Sequence, residues 1–308
     1  VTPFPSDPKT DKIYVQFLPG ANMLILFIVS LAWAFSFGLI KGNLDGVDSN
    51  FVSFARMLIS LVVFLPLMRL KKFNRPFTLK LMLAGMLQFG IMYIAYIASF
   101  QYLKAFEVAL FTIFTPLYVT LMDDAMQKKF NPLYLLTAAL AVVGTWIIKS
   151  GGEFSADILT GFLLVQVSNL CFAFGQVYYR RLMAKNPELK NEQVFGVLYL
   201  GAVLITLAAT LVFTPLQEIT LTSKQIWTLV YLGAFASGVC FFLWNLGARQ
   251  VNTGALAIFN DLKVPLAVAV SLLVFGESTD LARLLIGGAI VVASLGINEW
   301  ITKRRKLA

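Results

Sequence analysis

The chain has 308 residues, of which 58% are hydrophobic and only 13% charged, and its mean hydropathy is +0.78. A soluble domain carries roughly 25% charged residues, so this composition excludes one and marks an integral membrane protein. The net charge of +9 sits between apolar runs, a pattern of membrane topology and not of nucleic-acid binding.

Residues 1–21 are polar, carry Pro3, Pro5, Pro8 and Pro19, and lack the basic lead, short apolar core and small-residue cleavage site of a signal peptide; they read as a cytoplasmic arm. Ten apolar segments follow, at 22–40, 51–68, 79–99, 105–122, 133–148, 158–179, 194–213, 226–246, 254–275 and 281–300. Each is close to the roughly 17–25 residues that a spanning helix needs. Residues 301–308 form a basic tail.

The lysines and arginines test this count. With the amino terminus inside, Lys9, Lys12, Arg69, Lys71, Lys72, Arg75, Lys80, Lys128, Lys129, Arg180, Arg181, Lys185, Lys190, Arg249, Lys303, Arg304, Arg305 and Lys306 face the cytoplasm. Only Lys41, Lys104, Lys149, Lys224 and Arg283 fall outside, and Arg56 and Lys263 complete the 25. Every misplaced span would invert all later loops, so the asymmetry supports ten spans with both termini in the cytoplasm.

The halves also echo each other. Trp33-Ala34-Phe35 aligns with Phe172-Ala173-Phe174, and Ala109-Leu110 with Ala255-Leu256. Five helices per half is an odd number, so the second half inserts upside down relative to the first. The expected fold is therefore all-α integral membrane, with ten transmembrane helices in two inverted five-helix repeats, 22–148 and 158–300. That is the architecture of secondary transporters, whose site lies near the midplane between the repeats.

The motifs in register include Leu31-Ala32-Trp33-Ala34-Phe35, Phe54-Ala55-Arg56, Pro116, Cys171-Phe172-Ala173-Phe174-Gly175 running to Arg180-Arg181, Tyr231-Leu232-Gly233 to Leu243-Trp244-Asn245, and Pro265 followed by Phe275-Gly276-Glu277. Taken together they resemble the EamA-type family of the drug/metabolite transporter superfamily. The first half departs from the pattern where a Gly-Glu would close the fourth helix, with Asp123-Asp124 standing earlier. The resemblance implies export or exchange of small metabolites such as amino acids, carboxylates or amines.

Chemistry narrows the candidates. The chain has no histidine, which removes the usual zinc ligand and the commonest general base. No GxSxG, phosphate-loop or HExxH pattern accompanies its serines and carboxylates. No catalytic residue, metal or cofactor is expected, and Cys171 and Cys240 lie in apolar runs as buried thiols.

The polar residues inside the spans are then the site candidates. Asn260 and Lys263 are three apart and share a helix face, whereas Asp261 lies about 200° around from Lys263 and cannot pair with it within the helix. Pro265 frees the Asp261 carbonyl. Lys263 and Asn260 are expected on a substrate carboxylate and Asp261 in coupling, the alternative being a structural ion pair with another helix. Arg56, about five residues into its helix and near the outer end, reads as an interfacial anchor whose stem snorkels or as a gating or anion contact. Trp33 with Ser36, Tyr96 with Tyr93, Gln176 with Phe172, and Trp244 with Asn245 place aromatic rings beside polar groups at mid-depth, a wall for stacking or cation–π contact. Thr112 and Thr115 are expected to repair the break at Pro116, the alternative being that they face the cavity.

The expected function is secondary transport of a small organic solute bearing a carboxylate, an amino acid or related metabolite, across the cell inner membrane by alternating access. Proton or counter-substrate coupling is the expected drive, and the lipid bilayer and the solute are the expected partners. An intramembrane enzyme or a passive channel is the alternative. A reporter fused after Ala308 should be active only in its cytoplasmic form; activity of a periplasm-dependent reporter there would break the ten-span reading.

Overall fold

The computed structural model describes residues 19–69, 73–126, 156–248 and 253–307, with positions 128, 139–140, 143–144 and 147 between them. No strand occurs among the described residues, as expected where the surroundings offer the backbone no partners and each helix must satisfy its own. Helix α1 covers Pro19–Asn43, α2 Ser49–Phe64, α3 Arg75–Gly85, α4 Met92–Ser99, α5 Ala105–Phe111 and α6 Thr115–Met126. After the expected fifth span at 133–148, which lies almost wholly outside the described residues, come α7 Ala156–Ala184, α8 Asn191–Phe213, α9 Ser223–Val230, α10 Cys240–Ala248, α11 Thr253–Leu273 and α12 Leu281–Leu307.

Seven helical stretches among the described residues are long and apolar enough to cross a membrane, and shorter apolar helices cover Leu262–Leu273 and Leu281–Ile290. Their limits fall within a few residues of the apolar segments, with two differences. Helix α1 begins at Pro19, inside the expected arm, and α12 runs to Leu307 through the expected tail. Lysine and arginine are good helix formers and are favoured at a helix C-terminus, so the basic residues prolong the helix.

Local chemistry sets the helix ends. Asp48 Oδ1 accepts from Phe51 N and Asn74 Oδ1 from Phe77 N, each at 2.9 Å, while Thr222 and Gln225 form a reciprocal box at the start of α9. Glu277 caps a helix far away in sequence: its carboxylate accepts from Ala105 N at 2.8 Å and Phe106 N at 3.1 Å, and also from the Ser271 hydroxyl. Gly276 turns the chain to reach it at φ +68°, a conformation that favours glycine. The end of α11 is thereby fastened to the start of α5. Asp123, where the first half departs from the pattern, instead accepts from Arg181 Nη2 at 2.9 Å, joining α6 to α7.

Among the described residues, three spans are interrupted partway by non-α turns. Met86–Ile91 joins α3 to α4 and Tyr231–Val239 joins α9 to α10 as π-helical segments, and Thr112–Phe114 is a tightened 3₁₀ turn before Pro116. The expected repair at Pro116 is present: the Thr115 hydroxyl donates to the Thr112 carbonyl at 2.6 Å, and the Thr112 hydroxyl to Ala109 at 2.7 Å.

The helices pack closely around these turns. Helix α2 lies along α8 and the Tyr231–Val239 segment, α1 along α11, α4 along α7, and α3 along α8. At the last contact two glycines let backbones meet. A Cβ on Gly85 would strike the Leu198 carbonyl, and one on Gly201 the Met82 carbonyl. Because the obstacle is backbone, Gly85→Val should destabilise by about 1–3 kcal/mol or more. An unchanged melting temperature in detergent would contradict this packing.

Candidate functional site

A cavity of about 80 Å³ lies among the helices. Helix α1 contributes Trp33, Ser36 and Phe37; α2 contributes Arg56; α4 contributes Met92, Tyr93 and Tyr96. Thr112 and Thr115 reach it from the proline break, Ser168, Asn169 and Phe172 from α7, Phe241 from α10 and Lys263 from α11.

The walls are aromatic and rigidly braced. Phe241 touches Trp33, Tyr93, Phe172 and Phe89 with ring centroids 4.8, 6.2, 5.8 and 5.2 Å away. Tyr96 meets Tyr93 and Phe37 edge to face at 5.9 and 5.8 Å. The Trp33 indole N–H donates to the Ala236 carbonyl at 2.9 Å. That carbonyl belongs to the π-helical segment, where the shifted bonding pattern makes backbone acceptors available to side chains. Ser60 uses Gly233 in the same way at 2.8 Å, and Tyr199 uses Ser237 at 2.5 Å.

Two cations line the cavity. Lys263 is 8% exposed, with Nζ 5.6 Å from the Trp33 ring. Arg56 is 2% exposed, with Cζ 4.3 Å above the Tyr93 ring. Its Nε and Nη2 donate to the Ser237 hydroxyl at 3.2 and 2.9 Å, and Nη2 also to the Tyr93 hydroxyl at 3.0 Å. Among the described residues no carboxylate lines the cavity. On the α7 side, Asn169 donates to the Phe111 carbonyl at 2.8 Å and accepts from Thr115 at 3.1 Å, which fixes the broken helix against α7. The arrangement suits an uncharged or anionic solute with a large apolar surface: cations meet acceptors, and rings cover the rest.

Comparisons with known proteins agree on what this arrangement belongs to. The EamA-like transporter family matches residues 21–150 and again residues 159–299. The chain belongs to that family. It is a multi-pass membrane protein whose relatives are named as transporters and not as enzymes. A probable biotin transporter of Pseudomonas aeruginosa is 43% identical over 90% of this chain and 97% of its own. A biotin transporter of Salmonella typhimurium is 38% identical over 92% and 95%. The fold is also shared with a protein of known crystal structure at 17% identity, with a TM-score of 0.66 over 92% of this chain and 97% of that one. Both halves of this EamA protein contribute to the cavity, Trp33 to Thr115 from the first match and Ser168 to Lys263 from the second.

The residues expected from sequence divide into three groups. Trp33, Ser36, Tyr96, Arg56 and Lys263 line the cavity. Trp244 and Asn245 are buried but do not line it: Trp244 backs Trp33 at 5.1 Å, and Asn245 donates to the Phe241 carbonyl at 2.8 Å. Gln176 is half-buried and also off the cavity. The side chains of Asn260 and Asp261 lie outside the described residues.

One expectation is corrected. Arg56 does not snorkel to the interface but is among the largest fully buried side chains, held by Ser237 and Tyr93. Its depth follows from those partners, which offer a donor-rich head better compensation than a long reach outward. Ser168, Asn169 and Phe241 escaped the sequence reading. The signal for the first two was a Ser-Asn pair inside a largely apolar span, one turn before Phe172.

Proposed function

We propose that the chain is a secondary transporter of biotin, or of a solute closely like it, working by alternating access in the bacterial inner membrane. The observation that carries this reading is the cavity's lining of two buried cations and a continuous aromatic wall without a carboxylate among the described residues. Biotin has a carboxylate on an apolar chain and a compact fused ring, which match a cationic end and stacking surfaces. The names of the relatives at 43% and 38% identity support the same choice.

In this reading Lys263 takes the substrate carboxylate, and Trp33, Tyr96 and Phe241 hold the apolar body. A cavity of about 80 Å³ is smaller than the ~300 Å³ at which small-molecule pockets begin, so in this reading the helices part further to take in a whole substrate. The reading includes ten spans in two inverted repeats, 22–148 and 158–300, with both termini cytoplasmic and Asp261 as the coupling group.

Proteoliposomes loaded with unlabelled biotin should draw in external radiolabelled biotin by counterflow, faster than empty liposomes. Lys263→Met should fold normally and lose about 2 kcal/mol or more of biotin affinity, roughly 30-fold. Asp261→Asn should keep counterflow and lose pH-driven accumulation. Counterflow absent in the wild type would end the biotin reading, and wild-type affinity in Lys263→Met would remove that lysine from the site.

A further inference from the structure

Arg56 is the cavity group that this reading leaves without a task. Its fork edge is already occupied, since Nε and Nη2 both donate to Ser237 and Nη2 also to the Tyr93 hydroxyl. Its Nη1 is buried without a hydrogen-bond partner. Other buried side-chain atoms share that condition among the described residues, on Gln88, Gln166 and Trp244, but only Arg56 also lines the cavity. No carboxylate among the described residues lies within ion-pair distance of it.

A row of ring contacts links the two cations. Lys263 lies 5.6 Å from Trp33, Trp33 packs 4.8 Å from Phe241, Phe241 packs 6.2 Å from Tyr93, and Arg56 covers Tyr93 at 4.3 Å. A solute lying along this row meets a donor at each end and apolar surface between. The ends are not equivalent. A carboxylate prefers the two-pronged fork of an arginine, and that fork is in use. What Arg56 has left is Nη1, whose two N–H bonds diverge in the guanidinium plane and cannot form the parallel pair that grips both oxygens of a carboxylate, but either of which suits a single carbonyl oxygen. Lys263, a point charge on a flexible stem, suits the carboxylate.

We propose that Arg56 Nη1 recognises a carbonyl oxygen at the end of the substrate remote from its carboxylate. Resting on the biotin reading, this is the ureido carbonyl of the fused ring. The site then selects solutes with two acceptors separated by an apolar waist and rejects those with a positive charge at the ring end.

Binding of three ligands to the purified protein at neutral pH tests this. Biotin has both acceptors, biotinamide lacks the carboxylate charge, and 2-iminobiotin replaces the ring carbonyl oxygen with an imino group that is protonated at that pH. The wild type should bind 2-iminobiotin at least about 100-fold more weakly than biotin, because two like charges would meet at Arg56. Arg56→Gln should shrink that penalty below about tenfold, whereas Arg56→Lys should retain it. Lys263→Met should also retain it, and should instead bring biotin and biotinamide to similar affinity.

Wild-type binding of biotin and 2-iminobiotin with equal affinity would overturn the proposal. So would an Arg56→Gln protein that equalises biotin and biotinamide but keeps the imino penalty. The wild-type ligand comparison decides the matter even where Arg56→Gln fails to fold. A wild type that binds none of the three ligands ends the biotin reading and the proposal together, while biotin binding without the imino penalty ends only the proposal.

Discussion

The structure depends on how backbone carbonyls are satisfied where helical bonding is interrupted. Inside a bilayer an unpaired carbonyl costs several kcal/mol, and the π-helical segment Tyr231–Val239, whose bonding register departs from that of the helices it joins, receives donors from its neighbours. They come from three other helices: Trp33 to Ala236, Ser60 to Gly233 and Tyr199 to Ser237. One irregular turn thereby fixes α1, α2 and α8 around itself. The same turn presents the Ser237 hydroxyl, which holds Arg56 against Tyr93. The bracing of the fold and the placing of the cavity's cation are therefore the same set of contacts.

This coupling bears on transport. The cavity's walls are held by side chains that bond to interrupted backbone in other helices, so opening it means exchanging those bonds and not merely sliding apolar faces. Interrupted helices at Met86–Ile91, Thr112–Phe114 and Tyr231–Val239 border or adjoin the cavity, whereas the described parts of α8 run unbroken through Asn191–Phe213. Rearrangement is easiest where the ladder is already broken. The Glu277 carboxylate cap on α5 and the close backbone approach of α3 to α8 at Gly85 and Gly201 tolerate little change, which would make them rigid points of such a movement.

Much of the helical framework was legible in the sequence because length and hydropathy are enough to define a span: the described helices lie within a few residues of the apolar runs. Lys263, Trp33, Ser36 and Tyr96 were legible because a polar or aromatic residue at mid-depth is conspicuous in an apolar run. What hydropathy does not encode is helix phase. Each added residue in a π-helical turn rotates everything after it by about 100°. Beyond Tyr231–Val239, Trp244 and Asn245, chosen for a ring beside a polar group at mid-depth, turn aside, and Phe241 takes the wall. The snorkelling reading of Arg56 failed for a different reason. Its depth is decided by partners on other helices, Ser237 and Tyr93, which are 181 and 37 residues away in the chain.

The central claim is that one cavity, between Lys263 and Arg56, takes up biotin along the Trp33–Phe241–Tyr93 wall. An experimental structure of the protein solved with biotin present tests it most directly. The account predicts ligand density along those three rings, with the carboxylate at Lys263 and the ureido oxygen at Arg56 Nη1. Density lodged elsewhere, or running along the rings in the reverse sense, would contradict it.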